Sequence, residues 1–262
     1  MPSLSPTTDF LLAKRFYKQV VTHLPQHLYP KTKEDAYEVQ KEVVSHLMFH
    51  HQSAICGYKL ACTNEAAMDA IGVDEPFTGN MLSHSTYGDN ATLMASDFRI
   101  RIIELEFVFT MGQDVPVGTE PYTALTIEPF IDAFLPGIEV VTHQFEDLTQ
   151  VGGHALIADN AIHGASILGP RNTDWRTSDL ANHAVRLMVN GECFDEGSSQ
   201  NVLGNPLNGV AWLANHLHRR GLELTAGQFV TTGTACHVYP AQAGDNIVAD
   251  FGELGEVSMC FE

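Results

Sequence analysis

Basic side chains are scarce in this 262-residue chain, and long apolar runs are missing. Lys and Arg together number 14 against 32 Asp and Glu, so the formal net charge is −18. A surface that binds nucleic acid or an anionic membrane needs a basic face, so neither partner is expected. A membrane-spanning helix needs about 20 consecutive apolar residues, and no run in the sequence approaches that length.

Paired cysteines are also missing. The five thiols are widely spaced and form no CxxC pair: they are Cys56, Cys62, Cys193, Cys236 and Cys260. Zinc ribbons and thioredoxin-like sites use that spacing, so neither is predicted, and free thiols are typical of a reducing compartment. The opening stretch MPSLSPTTDFLLAKRFYKQ lacks the basic start and long apolar core of a secretory signal. We therefore expect a folded cytoplasmic protein.

Helical signals dominate the first third of the chain. Apolar spacing predicts one helix over about 9–21 and a second that Thr32 caps, with Asp35 in a capping-box position. A short third helix, NEAAMDAIG, follows. Much later, the N-cap Asn205 and the first-turn residue Pro206 predict another helix in GNPLNGVAWLANHLHRRG.

From about residue 99 the chain is β-rich, in short pieces that Gly, Pro, Asn and Asp divide. Strands are predicted over 100–110, 137–141, 155–158, 184–189, 228–232, 246–251 and 257–261. The expected fold class is α+β. We predict an N-terminal helical portion over 1–95 and a mainly β catalytic portion over 96–262, which share a core as one integrated domain.

Two acidic residues interrupt the apolar strand in FRIRIIELEFVFT. Side chains alternate along a strand, so Glu104 and Glu106 face the same way, about 7 Å apart. They repel each other unless a cation intervenes or the pair lies on the solvated face of an edge strand. Glu139 is a third acid in a β-like run, LPGIEVV. Three such acids favour a hard divalent ion, which prefers oxygen ligands.

Eight stretches of the chain resemble one known superfamily when they are taken in order. They are EDAYEVQ, GYKLACT, AIGVDEPFTG, RIIELEF, LPGIEVV, ADNAIHGASILG, LGNPLNGVAWLANHL and LTAGQFVTTGT. The sequence resembles the fumarylacetoacetate hydrolase superfamily, within it the branch of 2-oxopent-4-enoate hydratases and 4-oxalocrotonate decarboxylases. The resemblance implies a mixed-sheet roll, and it implies that Glu104, Glu106 and Glu139 hold one Mg²⁺ or Mn²⁺.

The same resemblance implies further site residues. Lys59 would be an active-site lysine near the metal that holds a substrate carboxylate or transfers a proton; the alternative is a surface lysine on an edge strand. The other implied residues are Asp159 and Asn160 at the active-site wall, and Thr232, Gly233 and Thr234 in a C-terminal pocket motif. An ordinary turn and a Thr-rich strand end are the respective alternatives.

One position departs from the hydratase pattern. Hydratases of this branch commonly have EPD followed by an aromatic residue and Gly, whereas this chain has DEPFTGN. Phe77 therefore stands where an acid/base Asp is expected, and we count it among the residues that contact substrate. An aromatic ring cannot handle a proton, so decarboxylation competes with hydration.

The expected activity is that of a metal-dependent lyase acting on a small 2-oxo acid. Hydration of a 2-hydroxy-2,4-dienoate or 2-oxo-4-enoate in meta-cleavage aromatic catabolism comes first, and decarboxylation of a 2-oxo-3-enedioate is the alternative. An acylpyruvate-type hydrolase and a non-catalytic relative stay open. The resemblance also implies a homo-oligomer and association with a partner enzyme of the pathway.

Overall fold

The computed structural model of the protein describes residues 4–118 and 120–262. The helices are α1 Pro6–Phe16, α2 Lys33–His51, α3 Glu65–Ile71, α4 Ala124–Ile127, α5 Gly153–Ala158 and α6 Pro206–Arg219. The strands are β1 Ile55–Ala61, β2 Phe77–Leu82, β3 Thr86–Gly88, β4 Ala91–Leu93, β5 Ile102–Met111, β6 Ile131–Val141, β7 His163–Leu168, β8 Ala184–Val189, β9 Glu192–Ser198, β10 Phe229–Thr234, β11 Tyr239–Pro240, β12 Asn246–Asp250 and β13 Glu256–Phe261.

Two mixed sheets form the frame. The larger has the order β2-β1-β10-β5-β6-β7-β3, with β11 pairing to β5, and the smaller has the order β4-β13-β12-β8-β9. Most neighbours are antiparallel, but β1 runs parallel to β10, β3 parallel to β7 and β4 parallel to β13. This architecture confirms the predicted α+β class with a mixed-sheet core.

The first 95 residues contribute strands as well as helices. Helix α1 is shorter than the predicted 9–21, because Tyr17 closes it and Lys18 then takes a left-handed φ of 50°. The capping box of Thr32 and Asp35 is present at the start of α2. Strands β1 and β2 join the larger sheet beside β10, so this part of the chain builds the same sheet as the later strands.

The strand predicted over 155–158 is wrong. The segment lies in helix α5, where Leu156 and Ile157 are both buried, in the same apolar cluster as residues of α2. A short apolar run cannot be assigned to strand or helix by periodicity alone, since both faces are apolar in either case. Packing against residues of α2 therefore determined that this segment is helical.

Strand β5 separates an apolar core from an acidic face. Ile103, Leu105, Phe107 and Phe109 alternate along it, and all four are buried in the main hydrophobic core. Glu104 and Glu106 take the opposite face. Because β5 lies between β10 and β6, the alternative of a solvated pair on an edge strand is excluded. No helix in the described part of the chain is both long and apolar enough to cross a membrane.

Candidate metal and substrate site

Three carboxylates meet on the acidic face of the larger sheet. Glu104 is paired in register with Glu139 of β6, and Glu106 lies opposite Gly137. A Cβ on Gly137 would come within 2.3 Å of Val108 Cγ2, so any side chain there would displace Val108 beside the acidic cluster. One oxygen from each of the three glutamates lies within 4.8 Å of the others. A single ion can bridge oxygens at that spacing, because metal–oxygen bonds are about 2.0–2.6 Å long.

The carboxylate oxygens are only partly satisfied by protein groups. The backbone N–H of Gly233 donates to Glu106 Oε2 at 2.7 Å, but Glu106 Oε1 has no hydrogen-bond partner among the described residues. Glu139 Oε2 is likewise buried and unpartnered. An unsatisfied buried oxygen of this kind is costly, and a hard divalent cation is the ligand that would satisfy both. The donor set therefore fits Mg²⁺ or Mn²⁺.

Burial and mutual repulsion disfavour the charged carboxylates. Burial raises the pKa of Glu106 well above its usual range, and the charge of Glu139 adds to that rise. Burial also raises the pKa of Glu139, and it raises the pKa of Glu104 to about 7 although Lys59 opposes the shift. Perturbed carboxylates in a cleft mark a functional site.

Lys59 is buried at the same place. Its Nζ lies 3.3 Å from Glu139 Oε1 and donates to the carbonyl oxygen of Ala161 at 3.2 Å. Burial by itself lowers the pKa of Lys59, but the three glutamates outweigh it and the pKa is raised. Strand β1 lies between β2 and β10, so Lys59 is not a surface lysine on an edge strand.

A cavity of about 190 Å³ opens onto these groups. Lys59 and Glu104 line it together with three more residues of the predicted set, Phe77, Gly233 and Thr234. Much of the remaining wall is apolar and includes Leu60, Ile71, Val141, Leu148, Leu156 and Ile162. A charged base under apolar walls suits a small acid with a hydrocarbon chain.

A larger cavity of about 460 Å³ lies next to this site. Asn160 and His163 line it, but none of the three glutamates does. The smaller cavity is therefore the one that combines a carboxylate of the cluster, that of Glu104, with Lys59.

Three of the predicted catalytic and substrate-binding residues do not line the smaller cavity. The Thr232 hydroxyl is buried and donates to the carbonyl oxygen of Phe107, so it belongs to the sheet. Asp159 is buried in an ion pair with Arg15, with 3.1 Å between the carboxylate and guanidinium. Asn160 uses its side chain to bind the backbone N–H and C=O of Asn80.

Asp159 and Asn160 hold an unusual turn behind Lys59. Asn160, Ala161 and Ile162 all have positive φ values, of 54°, 50° and 53°. This conformation is costly for residues other than glycine, most of all for a β-branched one. The turn directs the Ala161 carbonyl at Lys59 Nζ and brings Ile162 into the cavity wall. Its geometry indicates that these residues position Lys59.

Sequence reasoning missed His163 and Arg15. His163 Nδ1 lies 2.9 Å from Glu139 Oε1, and burial followed by the charge of Lys59 lowers its pKa to about 3. The neutral ring therefore donates its Nδ1–H to the carboxylate. His163 lies within ADNAIHGASILG, but the chain has 13 histidines and the motif singled out Asp and Asn. Arg15 is 144 residues from Asp159, so no local signal could join them.

Comparison with known proteins identifies the same relatives by sequence and by structure. Residues 63–262 match the family described as fumarylacetoacetate (FAA) hydrolase C-terminal. The chain is 30% identical over 239 residues to the 2-oxo-hept-4-ene-1,7-dioate hydratase of Escherichia coli, which covers 89% of this chain and 88% of the relative. It is 31% identical over 235 residues to the 4-oxalocrotonate decarboxylase of Pseudomonas putida, with 89% and 87% covered.

A solved structure extends the similarity to the whole fold. It is 4-oxalocrotonate decarboxylase from Pseudomonas putida G7 complexed with magnesium and adipate, and it matches with a TM-score of 0.89 at 27% identity. The match covers 98% of this chain and 96% of that one. The N-terminal helices and both sheets therefore have counterparts in one known protein.

Proposed function

Because the chain belongs to the fumarylacetoacetate hydrolase C-terminal family, we propose that it is a divalent-metal-dependent lyase of small 2-oxo acids. Its first activity is hydration of a 2-hydroxy-2,4-dienoate or its 2-oxo-4-enoate form in meta-cleavage aromatic catabolism. The name of the E. coli relative, a hydratase, supports this reaction. The observation that carries the proposal is the pair of unpartnered carboxylate oxygens of Glu106 and Glu139 beside Lys59.

In this proposal Glu104, Glu106 and Glu139 hold Mg²⁺ or Mn²⁺. The bound ion supplies a Lewis acid for the carboxylate and 2-oxo oxygens of the substrate, where negative charge develops. The solved relative that contains both magnesium and a dicarboxylate supports such a site. The backbone N–H of Gly233 fixes the orientation of Glu106, and the ring N–H of His163 fixes that of Glu139.

Lys59 interacts with the anionic group of the substrate and takes part in proton transfer. Glu139 and the Ala161 carbonyl hold its ammonium group at the cavity wall, where it binds the substrate carboxylate or transfers its proton. We assign Asp159 and Asn160 to the turn that positions it, while Gly233 and Thr234 form the wall beside the substrate. Phe77 and its apolar neighbours keep water away from the hydrocarbon part of the substrate.

A parallel assay of three substrates tests this proposal. With Mg²⁺ present, 2-hydroxypenta-2,4-dienoate should be converted to 4-hydroxy-2-oxopentanoate, followed by absorbance and identified by NMR, and EDTA should abolish the reaction. 2-Oxohex-3-enedioate and an acylpyruvate are run beside it. Absence of turnover with all three substrates would contradict a lyase and favour a non-catalytic relative.

Decarboxylation of a 2-oxo-3-enedioate is the second candidate because Phe77 is buried and lines the cavity. An aromatic wall takes no proton from an attacking water, and it keeps its part of the cavity dry. A carboxylate stripped of water is less stabilised than the delocalised enolate that forms when carbon dioxide leaves. The decarboxylase among the relatives supports this candidate.

Changing Phe77 to Asp should shift the balance of the two reactions. The new carboxylate can take a proton from water, so we expect hydration relative to decarboxylation to rise by about tenfold or more. The measurement is the ratio of hydration product to decarboxylation product by NMR, and thermal melting checks that the variant is folded. Phe77→Leu is the matched control, since it keeps the wall apolar and should keep the ratio. Equal ratios in the Asp variant and the wild type would contradict a role for this wall.

We also propose that the protein is a cytoplasmic homo-oligomer that works beside a partner enzyme of its pathway. The resemblance to the hydratase and decarboxylase branch supports both statements. Size-exclusion chromatography with light scattering measures the oligomeric state, and co-purification followed by mass spectrometry tests for the partner enzyme.

A further inference from the structure

Thr63 follows the end of β1, and the backbone on either side holds it in a fixed position. Cys62 leaves the strand with a left-handed φ of 57°, which is uncommon for a residue with a side chain. The backbone carbonyl of Thr63 then accepts from the N–H of Leu203 at 2.9 Å, which fixes the residue in place. Its side chain is buried and lines the cavity of Lys59 and Glu104. Strain retained beside a cavity points to a use for the residue that it orients.

The Thr63 hydroxyl lies directly against the backbone that holds a proposed metal ligand. A Cβ on Gly233 would come within 1.9 Å of Thr63 Oγ1, so the hydroxyl fills the space above this glycine. The N–H of the same glycine donates to Glu106 Oε2 at 2.7 Å. The hydroxyl therefore lies at the end of the cavity nearest the Glu106 carboxylate, and the proposed function places the reacting carbons of a 2-oxo acid at this end.

Other polar groups of the cavity wall are already committed. The Thr234 hydroxyl donates its proton to the Cys236 carbonyl at 2.9 Å, and the Cys62 thiol contacts the Ala67 carbonyl at 3.7 Å. The side-chain oxygen of Asn64 accepts a hydrogen bond from Ala67 N in the first turn of α3 at 2.9 Å. The Thr63 hydroxyl makes no such bond within the described ranges, so it is free both to accept and to donate.

We propose that the Thr63 hydroxyl positions the water that adds to the substrate, an inference that rests on the proposed hydratase activity. Ketonisation of the 2-hydroxy-2,4-dienoate at its terminal carbon gives a 2-oxo-3-enoate. The Thr63 hydroxyl accepts a hydrogen bond from the water and so turns a water lone pair toward the β carbon of this 2-oxo-3-enoate. A carbon–oxygen bond forms there, and the electron pair of the double bond moves to the α carbon. The proton that the water loses ends on that α carbon, so the sum is addition of H₂O. Thr63 keeps its own proton throughout.

This role separates water addition from the step before it. Ketonisation of 2-hydroxypenta-2,4-dienoate transfers a proton to the terminal carbon and uses no water as a nucleophile. In Thr63→Val the shape is kept and the hydroxyl is lost. We expect kcat for hydration to fall by about tenfold to a hundredfold, while deuterium uptake from D₂O at the terminal carbon continues. Thr63→Ser should restore most of the hydration.

Matched variants make the test decisive. Thr110→Val removes another buried threonine hydroxyl, which donates to the Ala133 carbonyl on β6 away from the cavity, and it should hydrate like the wild type. Mg²⁺ affinity by calorimetry should be unchanged in Thr63→Val. Full hydration by Thr63→Val, or equal loss of deuterium uptake and hydration, would overturn the role of Thr63. Absence of hydration in the wild type would instead refute the proposed function, and this inference with it.

Discussion

Replacing Lys59 by Met should lower kcat by at least about a hundredfold with either 2-oxo acid substrate. The variant keeps the length of the side chain but has no ammonium group to bind the substrate carboxylate or to move a proton. Mg²⁺ affinity should be kept or increased, because the ammonium 3.3 Å from Glu139 Oε1 competes with the ion for that carboxylate. Steady-state kinetics and calorimetry measure the two effects.

A lysine outside the site serves as the control for Lys59. Lys33 is also partly buried and pairs with Glu75 at 2.5 Å, on a different part of the surface. Lys33→Met should keep the kcat of the wild type. Because loss of one partner of a buried ion pair is destabilising, melting curves with Mg²⁺ present establish that Lys59→Met is folded. Near-normal turnover by a folded Lys59→Met would remove Lys59 from the mechanism.

Replacing Glu106 by Gln should raise the dissociation constant for Mg²⁺ by about a hundredfold or more and abolish metal-dependent turnover. Gln keeps the shape of the side chain but removes one of three charges that attract the ion. The same change relieves repulsion between buried carboxylates, so the metal-free protein should become more stable. Added Mg²⁺ should then stabilise the variant less than it stabilises the wild type, since that effect follows affinity.

This pair of opposite shifts distinguishes a metal ligand from a merely structural glutamate. Loss of a structural carboxylate would lower stability with and without Mg²⁺ alike. Glu128→Gln is the matched control, since Glu128 pairs with Arg176 at 3.2 Å outside the cavity. It should leave Mg²⁺ binding unchanged. Full Mg²⁺ affinity and activity in Glu106→Gln would show that the ion uses another site.

Local patterns were sufficient for several parts of this protein. The capping box of Thr32 and Asp35 depends on residues three apart, and the sequence predicted it correctly. Strand alternation predicted that Glu104 and Glu106 share a face, because the period of two belongs to the strand itself. The ordered family motifs then joined Glu139 to that pair as a prediction. The structure brings the three within reach of one another.

Short apolar runs and long-range partners lay beyond such patterns. Residues 155–158 were predicted as a strand, since an apolar run of that length has no period of its own, and packing among the apolar residues around α2 made them helical. No local signal could show that Phe77 would face the cavity or that Thr232 would bond the sheet. Those outcomes depend on which strands become neighbours.

The sequence alone determined the chemical types at the site: three acids, one lysine and an aromatic residue where an acid was expected. Only the tertiary structure decided how they are held. The ion pair of Arg15 with Asp159 spans 144 residues, and it secures the left-handed turn whose Ala161 carbonyl holds Lys59. Thr63 meets Gly233 only because β1 and β10 run side by side. Such contacts join residues that are far apart in the sequence. Residue type and local spacing therefore do not reveal them.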